Sequence, residues 1–226
     1  MVLNGGNMAK KLRRVFIVPS RPGGNLGAYL TMFKKEGWEN TEYLRNASLI
    51  QFVGGEDITP SFYGHHKYTK TNNNLIRDHR EKLIYFTALK LKIPMIGICR
   101  GAHFLNVMNG GTLFQHILKH QHSHMALDLW DKWEINVSSI HHQEMIPSHD
   151  VNNWLLLMDA RVSDSVKLKM TKENKARAVL NIYHYKRDIE ALLYYDSLCV
   201  CFQPRPEFPN FRGCTKVYFK YINLII

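Results

Sequence analysis

Pro94-Met95-Ile96-Gly97-Ile98-Cys99-Arg100-Gly101-Ala102-His103 is the stretch on which the reading of this chain turns. Met95 to Ile98 is a short apolar run behind a proline, as a buried strand requires, and Ala102 to Met108 reads as a helix. Cys99 therefore sits on a tight strand-to-helix turn, flanked by glycines in the spacing G-x-C-x-G. A nucleophile needs such a turn to stand clear of the sheet, and the flanking glycines let the turn pack closely. Its sulfur is expected at the carboxyl edge of the sheet, where open α/β folds place ligands. The N-terminus of the following helix is expected to favour its thiolate.

Working outward, Val15 to Val18 and Leu49 to Val53 read as two further buried strands. Leu26 to Lys35 and Asn74 to Lys92 read as helices, the second carrying Leu75, Leu83, Phe86, Thr87, Lys90 and Leu91 at helical spacing. Strand, helix, strand, helix, strand, turn, helix is the pattern of a parallel sheet covered on both faces. In the second half, Trp133–Ser138, Trp154–Asp159, Ile189–Tyr194 and Leu198–Gln203 are expected strands. Cys214–Ile226 is expected to close the chain as a helix. Residues 1–14 are expected to be a disordered extension, with Met8 an alternative start, and residues 15–226 one domain.

The 226 residues are 45% hydrophobic and 22% charged, as in an ordinary globular chain. No apolar run reaches bilayer length and no signal-peptide pattern opens the sequence. Four cysteines (Cys99, Cys199, Cys201 and Cys214) fit a reducing, cytoplasmic setting better than a disulfide framework. The net charge of +11 raises nucleic acid as a partner, but the lysines and arginines are scattered as solvated faces usually are. His116, His120, His122 and His124 cluster in sequence without a cysteine or carboxylate at metal-binding spacing, so no metal is expected.

Three other stretches accompany the cysteine turn. They are Gly54-Gly55-Glu56-Asp57-Ile58-Thr59-Pro60-Ser61-Phe62-Tyr63-Gly64, then Arg77-Asp78-x-x-Glu81, and His141-His142-Gln143. The cysteine stretch itself continues through Asn106-Val107 to Gly110-Gly111-Thr112-Leu113-Phe114-Gln115. In this order they resemble the class I glutamine amidotransferases, within them the gamma-glutamyl-gamma-aminobutyrate hydrolase branch. The resemblance implies a flavodoxin-like three-layer α/β/α fold with a mostly parallel central sheet, and no cofactor. It implies a Cys-His-Glu triad in which Cys99 attacks a γ-glutamyl amide and forms a thioester. The backbone amides of Gly55 and Arg100 would form the oxyanion hole, and Gly54, His103, His141, His142 and Gln143 would border the substrate. A separate synthetase chain would be the partner that receives released ammonia.

One position departs from the resemblance. The family's strand runs into Q-x-H-P-E, whereas this chain has Gln203-Pro204-Arg205-Pro206-Glu207. Arg205 stands where the histidine base belongs, and a guanidinium stays protonated and cannot relay the cysteine's proton. The sequence thus leaves two readings open: a cysteine hydrolase or amidotransferase helped by another histidine (His141, His142 or His184), or a silent member that binds a γ-glutamyl ligand or a partner protein. His103 is a second departure, at a position where many amidotransferases hold glutamine with a Gln.

Overall fold

The computed structural model describes residues 12–118, 122–160, 166–168 and 188–226. The chain opens with β1 (Arg14–Val18), α1 (Gly27–Lys35), β2 (Glu39–Asn40) and β3 (Leu49–Phe52). It continues with α2 (Leu75–Leu91), β4 (Met95–Ile98) and α3 (Arg100–Met108). Then come β5 (Thr112–Phe114), β6 (His116–Leu118), β7 (His124–Asp128), β8 (Trp133–Val137), β9 (Glu144–Ile146) and β10 (Trp154–Ala160). After β11 (Val166–Leu168) the chain ends with β12 (Ile189–Tyr194), β13 (Cys199–Phe202) and α4 (Arg212–Ile222).

Among the described residues, nine strands make one sheet in the order β2-β1-β3-β4-β13-β12-β10-β7-β8. From β2 to β13 the neighbours are parallel, and from β13 onward every pairing is antiparallel. The parallel half follows from the crossover helices of the first half of the chain. One core cluster packs α1 and α4 on one face through Tyr29, Phe33, Tyr218 and Ile222. The other packs α2 and α3 on the opposite face through Tyr85, Ala88, Phe104 and Leu105. The result is the expected three layers. The sequence stretches read as strands at Trp133, Trp154, Ile189 and Leu198 are strands, and the closing segment is a helix.

Helix α2 differs from its reading in the face that it buries. Its buried residues are Arg77, Asp78, Glu81, Tyr85 and Ala88, while Leu75, Leu83, Phe86 and Leu91 face solvent. The reason is that Arg77, Asp78 and Glu81 are needed inside, where they pair with Arg100 and with each other. Among the described residues no helix is long and apolar enough to cross a membrane.

Candidate active site

Strand β4 delivers Cys99 into the N-cap position of α3, with backbone φ +53° and ψ −113°. A non-glycine residue there holds strain of roughly 1–3 kcal/mol, which persists only where the surroundings fix it. They do so tightly. The Cys99 N–H donates to the Phe202 carbonyl at 2.9 Å, and its carbonyl accepts the His103 N–H at 3.1 Å. A Cβ on Gly97 would lie 2.2 Å from the backbone of Gly101, and one on Gly101 would lie 2.3 Å from the Phe52 carbonyl oxygen. The two glycines of G-x-C-x-G are thus the contact by which α3 reaches β4 and β3.

The loop after β3 is fixed from below by Arg77. Its Nη2 donates to the carbonyls of Val53 (2.9 Å) and Gly54 (3.1 Å), Nη1 reaches Glu56 (2.7 Å) and Nε reaches Glu81 (2.7 Å). Arg100 pairs with Asp78 and Glu81 beside it. Gly55, at φ +141°, passes so close over Arg77 that a Cβ would meet the guanidinium at 2.3 Å. The motif Arg77-Asp78-x-x-Glu81 is therefore the floor of the site.

A cavity of about 320 Å³ opens above this floor. It is lined by Gly55, Cys99, Arg100, His103, His141 and His142, with Glu56, Asp57, Asn72, Ile140 and Gln143 completing the wall. Cys99 is 8% exposed, while Cys199, Cys201 and Cys214 are closed off. Burial pushes the Cys99 thiol up from its ordinary value; the Arg205 guanidinium and the Arg100 N–H pull it down, and Glu207 pushes it up further. The expectation of a favoured thiolate is therefore corrected, because desolvation outweighs the helix terminus and the neighbouring cation.

The imidazoles divide by environment. His103 is pushed well below its ordinary value by burial and by His141, His142 and Arg100, so it is neutral. His141 Nδ1 donates to the Gln143 carbonyl at 2.8 Å. His142 is raised by its hydrogen bond to Asp57, at 3.0 Å from Nε2, and its Nδ1 lies 3.3 Å from His116 Nδ1. Asp57 is held in turn by the Asn72 N–H at 2.9 Å. His120 and His184 lie outside the described residues. His124 binds Glu190 at 2.8 Å, and among the described residues no three metal-ligating side chains gather.

Arg205 and Glu207 adjoin Cys99 without lining the cavity, and the Arg205 guanidinium hydrogen-bonds the Cys99 thiol. Arg205 Nε donates to Glu207 Oε1 at 2.5 Å, and the Arg205 N–H donates to Ser138 Oγ at 2.9 Å. Arg205 itself is raised: Glu207, Tyr29 and Cys99 outweigh the burial that lowers it. Its guanidinium also lies against Gly54. The Gly54 N–H donates to the Tyr29 phenol oxygen Oη at 3.2 Å and so is spent before it can face a substrate. Tyr29 was not legible as a site residue, since in sequence it is one apolar position of α1. Asn106 and Gln115 prove to be struts: Asn106 ties Thr112, Ile146 and Tyr194, and Gln115 ties His66, Tyr68 and Thr71.

The sequence profile of the family named peptidase C26 matches residues 27–153, more than half of the chain and including Cys99 and His141-His142-Gln143. The chain belongs to the peptidase C26 family. The YvdE homolog of Lactococcus lactis subsp. cremoris, described as glutamine amidotransferase-like, is 30% identical over 158 residues, 61% of this chain and 83% of that protein. A protein of Rickettsia prowazekii with the same description is 42% identical over 88 residues, 38% of this chain. The matched part is 31% of the Rickettsia protein's length, so this chain spans about a third of that relative. Among solved structures, PurLQS from Thermotoga maritima superposes with a TM-score of 0.61 at 15% identity, covering 96% of this chain and 100% of that one. A glutamine amidotransferase from the same organism gives 0.57 at 14%, covering 93% and 83%. The fold of this C26 chain is thus the class I glutamine amidotransferase, flavodoxin-like fold.

Proposed function

We propose that this C26 chain binds a γ-glutamyl amide in the Cys99 cavity and cleaves it through a thioester, slowly, because Arg205 replaces the base. The observation that carries the reading is Cys99 on its strained turn at the wall of a cavity shared with Gly55 and Arg100. In the first step the Cys99 sulfur attacks the amide carbonyl, the thiol proton leaves, and the amine departs after taking up a proton. In the second, water attacks the thioester, giving the carboxylic acid and restoring the thiol. The backbone amides of Gly55 and Arg100 are the donors for the oxyanion in this reading. His103, His141, His142 and Gln143 are the side chains that would meet the acyl group.

The proton steps are where the site is weak. Arg205 is held in an ion pair with Glu207 and stays protonated, so it neither takes nor gives a proton in the reaction. That pair favours a second reading, in which ligand is held without turnover. Ammonia, if released, would pass to water or to a synthetase chain. Four free thiols suit a reducing compartment such as the cytoplasm.

A diazoketone analogue of glutamine tests the binding and nucleophile roles without requiring turnover. It should alkylate Cys99 saturably, as read by peptide mass, and a γ-glutamyl amide should protect the residue. Alkylation that is unsaturable, unprotected or on another cysteine removes the proposal.

A further inference from the structure

The outer face of α2 carries a feature that the site does not use. Ile76 is 84% exposed, Leu83 71% and Phe86 53%. With His79 and Lys90 they recur at intervals of three and four residues, the a and d positions of a heptad seam along one side of the helix. Phe62 extends the patch: its ring meets His79 edge-on at 5.3 Å and lies under Lys82 at 5.4 Å. Three large apolar side chains aligned on one solvent-facing helix are more than the scattered exposure normal for a surface.

The charges beside the seam choose its partner. Both carboxylates of α2, Asp78 and Glu81, are buried in the floor of the active site. The charged side chains left on the outward surface are basic: Lys82 and Lys90, with Lys92 just beyond the helix, while Arg80 turns inward to the Pro19 and Ser20 carbonyls. Lys82 falls at a g position that flanks such a seam. A second copy of this chain would set these cations against each other, so self-pairing is disfavoured.

We propose that α2 docks an amphipathic helix of a different protein, with apolar a and d residues and acidic flanks. The complementarity is of the helix-against-helix kind read as i, i+3, i+7 anchors. The same helix carries Arg77 beneath the Gly54–Gly55 loop, so a partner seated there would lie against the back of the active-site floor.

The test uses the full chain and a fluorescent synthetic peptide of three heptads, leucine at a and d and glutamate at e and g. The control has the same composition shuffled out of the seven-residue repeat. Fluorescence anisotropy should show saturable binding of the first and not of the second. Leu83→Glu should weaken binding by about tenfold or more, the loss of one well-packed interface anchor, with an unchanged melting curve because the side chain is exposed. Ile76→Glu should do the same. Equal binding of both peptides, or indifference to Leu83→Glu and Ile76→Glu, overturns the proposal. So does binding confined to phosphatidylserine vesicles, or self-association of the protein that Leu83→Glu abolishes.

Discussion

Replacing Arg77 by methionine should cost this protein about 4 kcal/mol of stability. The side chain is 1% exposed and makes four polar contacts, two to carboxylates and two to carbonyls. Its removal leaves Glu81 fully buried with Arg100 as its remaining ion-pair partner, and breaking such a pair from one side costs roughly 3–5 kcal/mol. The Val53 and Gly54 carbonyls would also lose a donor, at about 1–3 kcal/mol for a buried group left unsatisfied. The Glu56 contact is discounted, since that carboxylate is partly exposed. These losses overlap rather than add, which gives the figure of about 4. For a chain of this size that is a fall in Tm of about 8–16 °C. Guanidinium unfolding followed by tryptophan fluorescence measures it directly. In a Glu81→Gln background the loss should shrink by more than about 1 kcal/mol, because no charge is stranded. A loss below about 1 kcal/mol for Arg77→Met, or no coupling to Glu81, would refute the idea that this ion network holds the loop over Cys99.

Gly101→Ala should destabilise by at least about 2 kcal/mol, since its Cβ would lie 2.3 Å from the backbone of Phe52, and an unfolding curve shows it. Gly213→Ala, whose Cβ meets nothing nearer than Ile135 at 3.7 Å, should be neutral or gain up to about 1 kcal/mol. Competitive alkylation should modify Cys99 first, because it alone has any exposure among thiols that burial pushes up, Cys199 to about 12. The rate should keep climbing as the solution is made alkaline; a plateau at or below neutral pH would mean a thiolate. His142, raised by Asp57, contributes stability that is full below the ordinary histidine value of about 6.5 and lost as pH rises through its own higher value. His142→Gln should therefore cost more at pH 5.5 than at pH 9 in paired melts; a gap that widens with pH contradicts the assignment.

What the sequence made legible was local. The turn at Cys99 could be read because a strand, two glycines and a helix follow one another within ten residues. The departure at Arg205 could be read because Gln203, Pro206 and Glu207 frame it. The antiparallel half of the sheet was only partly visible, since its pairing order depends on contacts distant in sequence. The buried face of α2 was hidden for a different reason. Apolar spacing points to Leu83 and Phe86, whereas the fold buries Arg77, Asp78 and Glu81, and an ion network inside a domain has no apolar period. Nor could the state of the Cys99 thiol be read, because the burial that raises it comes from loops distant in sequence, at Gly55, His141 and Arg205.

If Arg205 is what separates this site from efficient turnover, one rate comparison shows it. Hydrolysis of γ-glutamyl amides should be slow in the unaltered protein. It should rise by roughly 10²-fold or more in Arg205→His, the usual worth of a placed acid–base group, and vanish when Cys99→Ala is added. Fast hydrolysis by the unaltered protein, or no gain in a folded Arg205→His protein, would contradict it.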